Sequence, residues 1–164
     1  MPPRPAGLMT RAPALVLIIT TLATWGLLSL ALAQGRAAGS TYHTPAWVLI
    51  LHLASVIPAV PLGAYVLLTR KGDARHRLLG RIWGVLMLIT AITSFWVRSI
   101  TGEISPIHLF SVLTLFSVPM AVWHIRRGNR IAHQRAMTFT YIGLIVAGLF
   151  ALLPGRLIGN LLFG

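Results

Sequence analysis

The chain has 164 residues, of which 56% are hydrophobic and only 10% are charged. A soluble domain carries about a quarter charged residues, so this composition excludes an ordinary soluble domain and favours an integral membrane protein. The formal charge of +12 is attributed to the basic loops of a membrane protein rather than to nucleic-acid binding. The absence of cysteine excludes disulfides, thiolate metal sites and covalently attached c-type haem.

Five apolar runs are each about 20 residues long or slightly longer, enough to cross the hydrocarbon core of a bilayer as helices. They do not alternate apolar with polar residues, which argues against a transmembrane barrel. In chain order the runs cover about residues 12–33, 45–68, 74–97, 106–125 and 132–153. We predict an all-α, polytopic membrane helical bundle that forms one domain over residues 1–164, with a four-helix, histidine-bearing core and one amino-terminal helix.

The first run has a second interpretation. The small-x-small sequence Ala31-Leu32-Ala33 follows a basic start and an apolar run, as a signal-peptidase site does. The run is longer than the usual 7 to 15 residues of a signal-peptide core, so we favour a retained helix. Cleavage would leave the four histidine-bearing runs intact.

Residues at the ends of the runs predict helix termini. Asp73 and the pairs Thr44-Pro45 and Ser105-Pro106 are typical of helix starts, because a short polar side chain can accept a hydrogen bond from the first turn. Glycines follow the ends of runs, where a left-handed residue is favoured; these are Gly35, Gly72, Gly102 and Gly128. The connections are short, so consecutive helices should be antiparallel neighbours.

Basic residues predict the orientation. Eleven of them lie in the amino-terminal tail and at one end of the four later runs, and three lie on the other side; the eleven are Arg4, Arg11, Arg70, Lys71, Arg75, Arg77, Arg81, Arg126, Arg127, Arg130 and Arg135. Because cytoplasmic loops collect Lys and Arg, we expect a bacterial cytoplasmic membrane protein with its amino terminus inside and its carboxyl terminus outside.

Four histidines lie one each near the starts of the last four runs: His52, His76, His108 and His133. With alternating direction, His52 and His108 lie near the outer face of the membrane, and His76 and His133 lie near the inner face. An ionisable ring inside a membrane is costly and usually functional, and facing imidazoles on helices are natural axial ligands of haem iron. His43 falls in an outer loop, and His124 lies on the wrong face of its helix for a second ligand.

Neighbouring residues suit such a site. Gly80 shares a face with His76 and leaves space, while Ser55 and Ser111 follow the outer histidines by three residues. Pro58 and Pro61 should bend their helix below His52. Four arginines are placed to meet haem propionates at the inner site; they are Arg77, Arg81, Arg130 and Arg135. The plainer interpretation is that His76 and His133 are interfacial polar residues.

The two acids, Asp73 and Glu103, both lie at loops. A transporter coupled to protons or sodium commonly uses a carboxylate within the membrane, and a two-carboxylate hydrolase needs a pair of them. Neither arrangement is available, and the glycine-rich nucleotide motifs are absent. Ligation of a cofactor or binding of an anion is the chemistry that remains.

Several motifs carry a resemblance to a known family. The stretches HRLLGRIW at 76–83, SPIH at 105–108, RRGN at 126–129, AHQRAM at 132–137 and LPGR at 153–156 resemble domain-of-unknown-function family 2306 of predicted bacterial membrane proteins. The resemblance covers about residues 45–164. It implies a protein of the bacterial inner membrane and brings no established activity.

A looser likeness is to the transmembrane di-haem cytochromes b of the ascorbate-reducing type. In that group four central helices each give one histidine, and the first pairs with the third and the second with the fourth. The likeness implies one or two b-type haems held by His52 with His108 and by His76 with His133, in intervals of 24, 32 and 25 residues that are tighter than in that group.

The sequence therefore predicts an electron carrier or membrane oxidoreductase that takes electrons from a quinol or small reductant. Two alternatives stay open. The chain is a cofactor-free accessory subunit beside partner membrane subunits, with its histidines in interhelical hydrogen bonds, or it is a small histidine-lined transporter.

Overall fold

A computed structural model describes residues 44–97 and 106–151, which form four helices and their connections. Helix α1 spans Ala46–Leu68, α2 spans Ala74–Ser94, α3 spans His108–Arg126 and α4 spans Arg130–Ala151. These helices confirm the last four predicted runs to within about three residues at each end. The predicted first helix, at about residues 12–33, lies outside the described residues.

Each of the four helices is long and apolar enough to cross a membrane. Many large apolar side chains point away from the bundle, among them Phe139 at 70% exposure, Phe116 at 69% and Ile131 at 67%. An apolar surface of this extent is covered by lipid in a membrane protein, whereas in water it would be a liability. The outward faces of the four helices therefore imply a bilayer environment.

The helices form a four-sided bundle. Helix α1 packs mainly against α2, α3 packs mainly against α4, α2 packs against α3, and α1 touches α4 more sparsely. The two remaining pairs, α1 with α3 and α2 with α4, therefore lie on the diagonals. Because consecutive helices run in opposite directions, one end of the bundle carries His52 and His108 and the other carries His76 and His133. We call these the His52 end and the His76 end.

Capping hydrogen bonds and glycines define the helix termini at the His76 end. The Asp73 carboxylate accepts a hydrogen bond from the His76 backbone N–H over 2.6 Å, which confirms it as the cap of α2. Gly128 has a φ of 77°, as the left-handed position directly after the end of α3 requires. Gly72, with a φ of 89°, does not end α1, which stops before Thr69, a residue in an extended conformation; Gly72 lies in the turn just before Asp73. Asn129 caps α4 by accepting from the Ala132 N–H at 3.0 Å, a cap that the sequence analysis missed.

At the His52 end one predicted cap is wrong. The Thr44 hydroxyl makes no capping bond with α1, and it donates instead to the Trp96 carbonyl at 2.9 Å. The bond ties the chain before α1 to the chain after α2, because the two ends lie side by side. The second predicted cap, Ser105, lies outside the described residues.

Trp83 is the centre of the bundle core. Its side chain is 1% exposed, and its indole N–H donates to the Ala59 carbonyl of α1 at 2.9 Å. A ring of this size needs room on the facing helix, and Gly63 supplies it; a Cβ there would lie 2.5 Å from Trp83 Nε1 and 2.7 Å from Tyr141 Cδ2. The remaining buried members of this core are Met87, Val118, Ala121, Met137 and Leu144.

Three prolines lie inside these helices. Pro58 and Pro61, which the sequence analysis noted, fall within α1, and Pro119 falls within α3. A helical proline has no N–H for the carbonyl four residues earlier, so Pro58 and Pro61 leave the carbonyls of Ala54 and Ile57 without that donor. Helix α1 nevertheless runs unbroken from Ala46 to Leu68.

Replacing Gly63 with alanine should destabilise the bundle. The new methyl group would overlap the Trp83 and Tyr141 rings, both of which lie between helices, at an expected cost of about 1–3 kcal/mol. The measurement is thermal unfolding in detergent, followed by tryptophan fluorescence. Gly80→Ala is the matched control, because its nearest neighbour would be Val66 Cγ1 at 3.9 Å; equal melting of the two variants would contradict the packing described here.

Removing the cap of α2 should also be measurable. Asp73→Ala takes away the acceptor of the His76 N–H and should cost about 1 kcal/mol, whereas Asp73→Asn keeps an acceptor oxygen and should cost much less. Thermal unfolding of the two variants in the same detergent compares them. An asparagine variant as unstable as the alanine variant would show that charge, not capping, is what Asp73 contributes.

Candidate functional site

The four predicted ligand residues lie at two levels of the bundle. His108 is the first residue of α3, and His52 lies within the second turn of α1. His76 and His133 lie in the first turns of α2 and α4. Each pair comes from diagonally opposed helices, and the two members of each pair lie at the same end of the bundle, as the alternating direction of the helices predicts.

His52 is bonded to α2. Its Nδ1 lies 2.9 Å from Thr93 Oγ1, and the Thr93 hydroxyl donates its single proton to the Ile89 carbonyl at 2.7 Å. Thr93 must therefore accept from His52, which assigns the proton to Nδ1 and the lone pair to Nε2. His52 is thus held against the carboxyl-terminal turns of α2 with one ring nitrogen left as an electron-pair donor.

His108 is bonded to the same part of α2 from the other side. It is 3% exposed, and its Nε2 lies 3.1 Å from the Ser94 carbonyl. A carbonyl only accepts, so the proton is on Nε2, the opposite assignment from His52. The Phe95 ring stacks on the imidazole, with centroids 5.8 Å apart. The end of α2 therefore lies against both His52 and His108.

His133 is bonded to α3. Its Nδ1 lies 2.9 Å from the Ala121 carbonyl, so Nδ1 carries the proton and Nε2 carries the lone pair. Ala121 is fully buried in the bundle core. A histidine that ligates a metal almost always donates its other ring N–H to a carbonyl or carboxylate in this manner. His133 therefore has the tautomer that a metal-ligating histidine would need, with its lone pair on Nε2.

His76 leaves a buried nitrogen without a partner. Its Nδ1 is buried and makes no hydrogen bond. The His76 end thus carries two histidines of diagonal helices, His133 with its proton on Nδ1 and His76 with a buried nitrogen that no protein group uses.

The surroundings agree in part with the sequence analysis. A Cβ on Gly80 would meet only Val66 Cγ1, at 3.9 Å, so there is room for a methyl group at this position, one turn after His76. Ser55 is buried but donates to its own helix, at the Leu51 carbonyl. The Ser111 hydroxyl lies 2.6 Å from the Ser94 hydroxyl, so Ser111 is hydrogen-bonded to the carboxyl-terminal end of α2.

Arginines surround the His76 end at its surface. All four that were predicted to meet propionates are exposed; they are Arg77, Arg81, Arg130 and Arg135. One of these guanidinium groups, that of Arg77, already donates a hydrogen bond to the Gly72 carbonyl at 2.7 Å. Arg127 lies over the Trp123 ring at 4.4 Å, and His124 meets the edge of the same ring, so His124 packs away from the candidate site. His43 lies outside the described residues.

The sequence analysis missed the partners of the histidines. The hydroxyls of Thr93 and Ser94 lie at the end of α2, in the sequence TAITS at 90–94. Three hydroxyl residues among five in an otherwise apolar run were a usable signal, because a buried hydroxyl needs a partner. The Ala121 carbonyl carried no signal, since every residue has one. Among the described residues, no group of three or more metal-ligating side chains comes together.

Comparison with known proteins supports the resemblance drawn from the motifs. A family model described as "Predicted membrane protein (DUF2306)" matches residues 49–162. No curated protein and no solved structure gives a significant match. The match covers all four helices and all four histidines apart from the first residues of α1, so the chain belongs to the DUF2306 family of predicted membrane proteins.

Proposed function

We propose that this protein is a b-type haem electron carrier of the bacterial cytoplasmic membrane, with bis-histidine ligation. The observation that carries the proposal is the pair His76 and His133. The His133 ring is held by α3 through Nδ1, which leaves the lone pair on Nε2, and Nδ1 of His76 is buried with no protein partner. Imidazole nitrogens are the usual axial ligands of electron-transferring b-type haem.

The chemistry of the donors favours the His76 end over the His52 end. A buried nitrogen without a hydrogen bond costs free energy, about 1–3 kcal/mol for a neutral group, and coordination to iron would remove that cost. Gly80, one turn after His76, leaves room for a methyl group. The arginines at the surface match the charge of two propionates, because guanidinium groups bind carboxylates through paired hydrogen bonds. Haem bound here would supply one-electron chemistry, and the protein would supply the ligands and an apolar wall.

The His52 end fits haem less well. His52 has the tautomer of a ligand, but Nε2 of His108 is bonded to the Ser94 carbonyl, and a bond to iron through that nitrogen would require the ring to leave α2. The cavity near this end has a volume of about 40 Å³, whereas ligand sites for small molecules occupy about 300–1,000 Å³. A second haem held by His52 and His108 therefore has less support than a haem held by His76 and His133.

A cofactor-free role has its own support. Three of the four histidines, His52, His108 and His133, are held by a neighbouring helix, at Thr93, Ser94 and Ala121 respectively. Polar side chains that bond across helices stabilise membrane bundles by about 0.6 kcal/mol on average. An accessory subunit that packs beside partner membrane proteins would need these bonds and no cofactor. For His52 and His108 this second candidate accounts for the geometry better than haem does.

The charge distribution supports an orientation with the His76 end in the cytoplasm. All the basic residues of the described chain lie at that end, in the turn after α1, the first turns of α2 and α4, and the end of α3. Exposed Trp47 and Trp96 lie at the opposite end and Trp123 at the His76 end, where two interfacial belts would place them. Electrons from a quinol or small reductant would then leave or enter the carrier near the cytoplasmic face.

Visible absorption tests the haem proposal. Purified protein should be red, with a Soret band that shifts on reduction with dithionite, and His133→Ala should abolish or strongly reduce the haem content, because it removes an axial ligand. His52→Ala should leave the haem at the His76 end in place. The measurement is the haem-to-protein ratio from pyridine haemochrome spectra.

Circular dichroism serves as the control, since both variants must keep the helical content of the parent. Colourless protein from haem-sufficient cells would reject haem binding and favour the accessory subunit. Equal loss of haem in both single variants would reject the assignment to His76 and His133 alone and indicate that both ends bind haem.

The orientation can be tested with single cysteines, because the natural chain has none. Lys71→Cys lies in the turn between α1 and α2, and Pro106→Cys lies just before α3; both residues are exposed. An impermeant maleimide added to cells with a permeable outer membrane should label Pro106→Cys, and it should label Lys71→Cys only after the inner membrane is opened. The reverse pattern would invert the proposed orientation.

A further inference from the structure

A small cavity lies between α2, α3 and α4, towards the His52 end. Its volume is about 40 Å³, and its wall is mostly apolar, with Met87, Phe110 and Leu144 among the lining residues. Three hydroxyl residues also line it, namely Thr90, Ser111 and Thr114. No histidine or charged residue lines this cavity, so it is separate from the histidine pairs.

Thr90 is unlike the other buried hydroxyl residues of the bundle. Thr93, Thr114 and Thr140 each donate to a carbonyl of their own helix, four residues earlier. A buried threonine in a helix commonly satisfies its hydroxyl through this bond. The Thr90 side chain is 8% exposed, and its hydroxyl is buried with no hydrogen-bond partner in the described structure. An uncompensated hydroxyl in an apolar interior is costly.

The other two hydroxyls offer acceptors. Thr114 donates its proton to the Phe110 carbonyl, so its oxygen retains lone pairs. Ser111 and Ser94 share one hydrogen bond of 2.6 Å, and the Ser111 oxygen has a lone pair to spare in either direction of that bond. The cavity therefore contains one hydroxyl donor without an acceptor, that of Thr90, and two oxygens that can accept a hydrogen bond, those of Ser111 and Thr114.

We propose that this cavity is a binding site for water, in which one water molecule accepts from the Thr90 hydroxyl and donates to Ser111 and Thr114. Water fits that set, because its oxygen can accept from Thr90 while its two O–H groups donate to Ser111 and Thr114. A water molecule needs about 10–15 Å³, so the cavity has room for about two or three, and it is too small for a ring compound.

The bound water would extend a polar region at the end of α2. The Thr93 hydroxyl accepts from His52, and the Ser94 carbonyl accepts from His108. Water on Thr90 and Ser111 would lie beside these groups and would join the neighbours of the two histidines in one hydrogen-bonded region. The site thus places an exchangeable proton source within the apolar interior, one turn from the His52 contact.

Radiolytic labelling tests the proposal on the intact protein. A short X-ray pulse converts bound water to hydroxyl radical, which adds oxygen to a nearby methionine sulfur and leaves a sulfoxide. Met87 lines the cavity and is 2% exposed, whereas Met137 is 9% exposed and does not line it. If water is bound, Met87 should be oxidised several-fold faster than Met137 despite its deeper burial. Equal or slower oxidation of Met87 would overturn the proposal.

Stability of Thr90→Val gives a second readout, because valine keeps the shape and removes the hydroxyl. If water is bound, the variant loses hydrogen bonds and should melt about 2–4 °C below the parent protein. If the cavity is dry, removal of an unpartnered hydroxyl should leave the melting temperature unchanged or raise it, which would contradict the proposal. Thr140→Val is the matched control, since Thr140 is 5% exposed, bonds within its own helix and does not line the cavity.

Discussion

Helices that cross an apolar medium must satisfy their polar groups from within, and the last two turns of α2 are where this constraint is concentrated. Thr93 accepts from His52 of α1, and the Ser94 carbonyl accepts from His108 of α3. The residues just after α2 hold the chain before α1, through the bond from the Thr44 hydroxyl to the Trp96 carbonyl. Because α2 packs against both α1 and α3, its end is the natural meeting point of the polar side chains of both neighbours.

The hydrogen-bonding needs of the histidine rings are met differently at the two ends of the bundle. At the His52 end, hydroxyls and carbonyls of α2 satisfy at least one nitrogen of each histidine. At the His76 end His133 donates to the Ala121 carbonyl, and Nδ1 of His76 is buried without a partner. Most buried polar groups have a hydrogen-bond partner, so an unsatisfied buried nitrogen calls for an explanation. That asymmetry is why the ligand proposal is centred on His76 and His133, and why His52 and His108 account more simply for helix packing.

Packing in the middle of the bundle keeps the two ends apart and in register. Trp83 fills the space between α1 and α2, and its indole N–H is satisfied at the Ala59 carbonyl. Gly63 makes that approach possible because it has no Cβ to collide with the ring. The core is otherwise built from medium-sized residues such as Met87 and Val118, while the largest apolar side chains face outward, as expected where lipid is the solvent.

Much of this protein follows from its sequence by itself. Apolar runs of the right length predict the four described helices, Asp73 and Gly128 predict two of their termini, and the order of the histidines predicts which of them share an end of the bundle. These features are local or depend only on alternation of direction, so a pattern along the chain is enough to find them. The tertiary structure alone decided the rest. The Thr44 hydroxyl bonds to the Trp96 carbonyl instead of capping α1, His108 bonds to α2, Thr90 lines a cavity, and Nδ1 of His76 has no partner. Each of these outcomes depends on which group of another helix lies within about 3 Å of the side chain, and the sequence alone does not specify that distance.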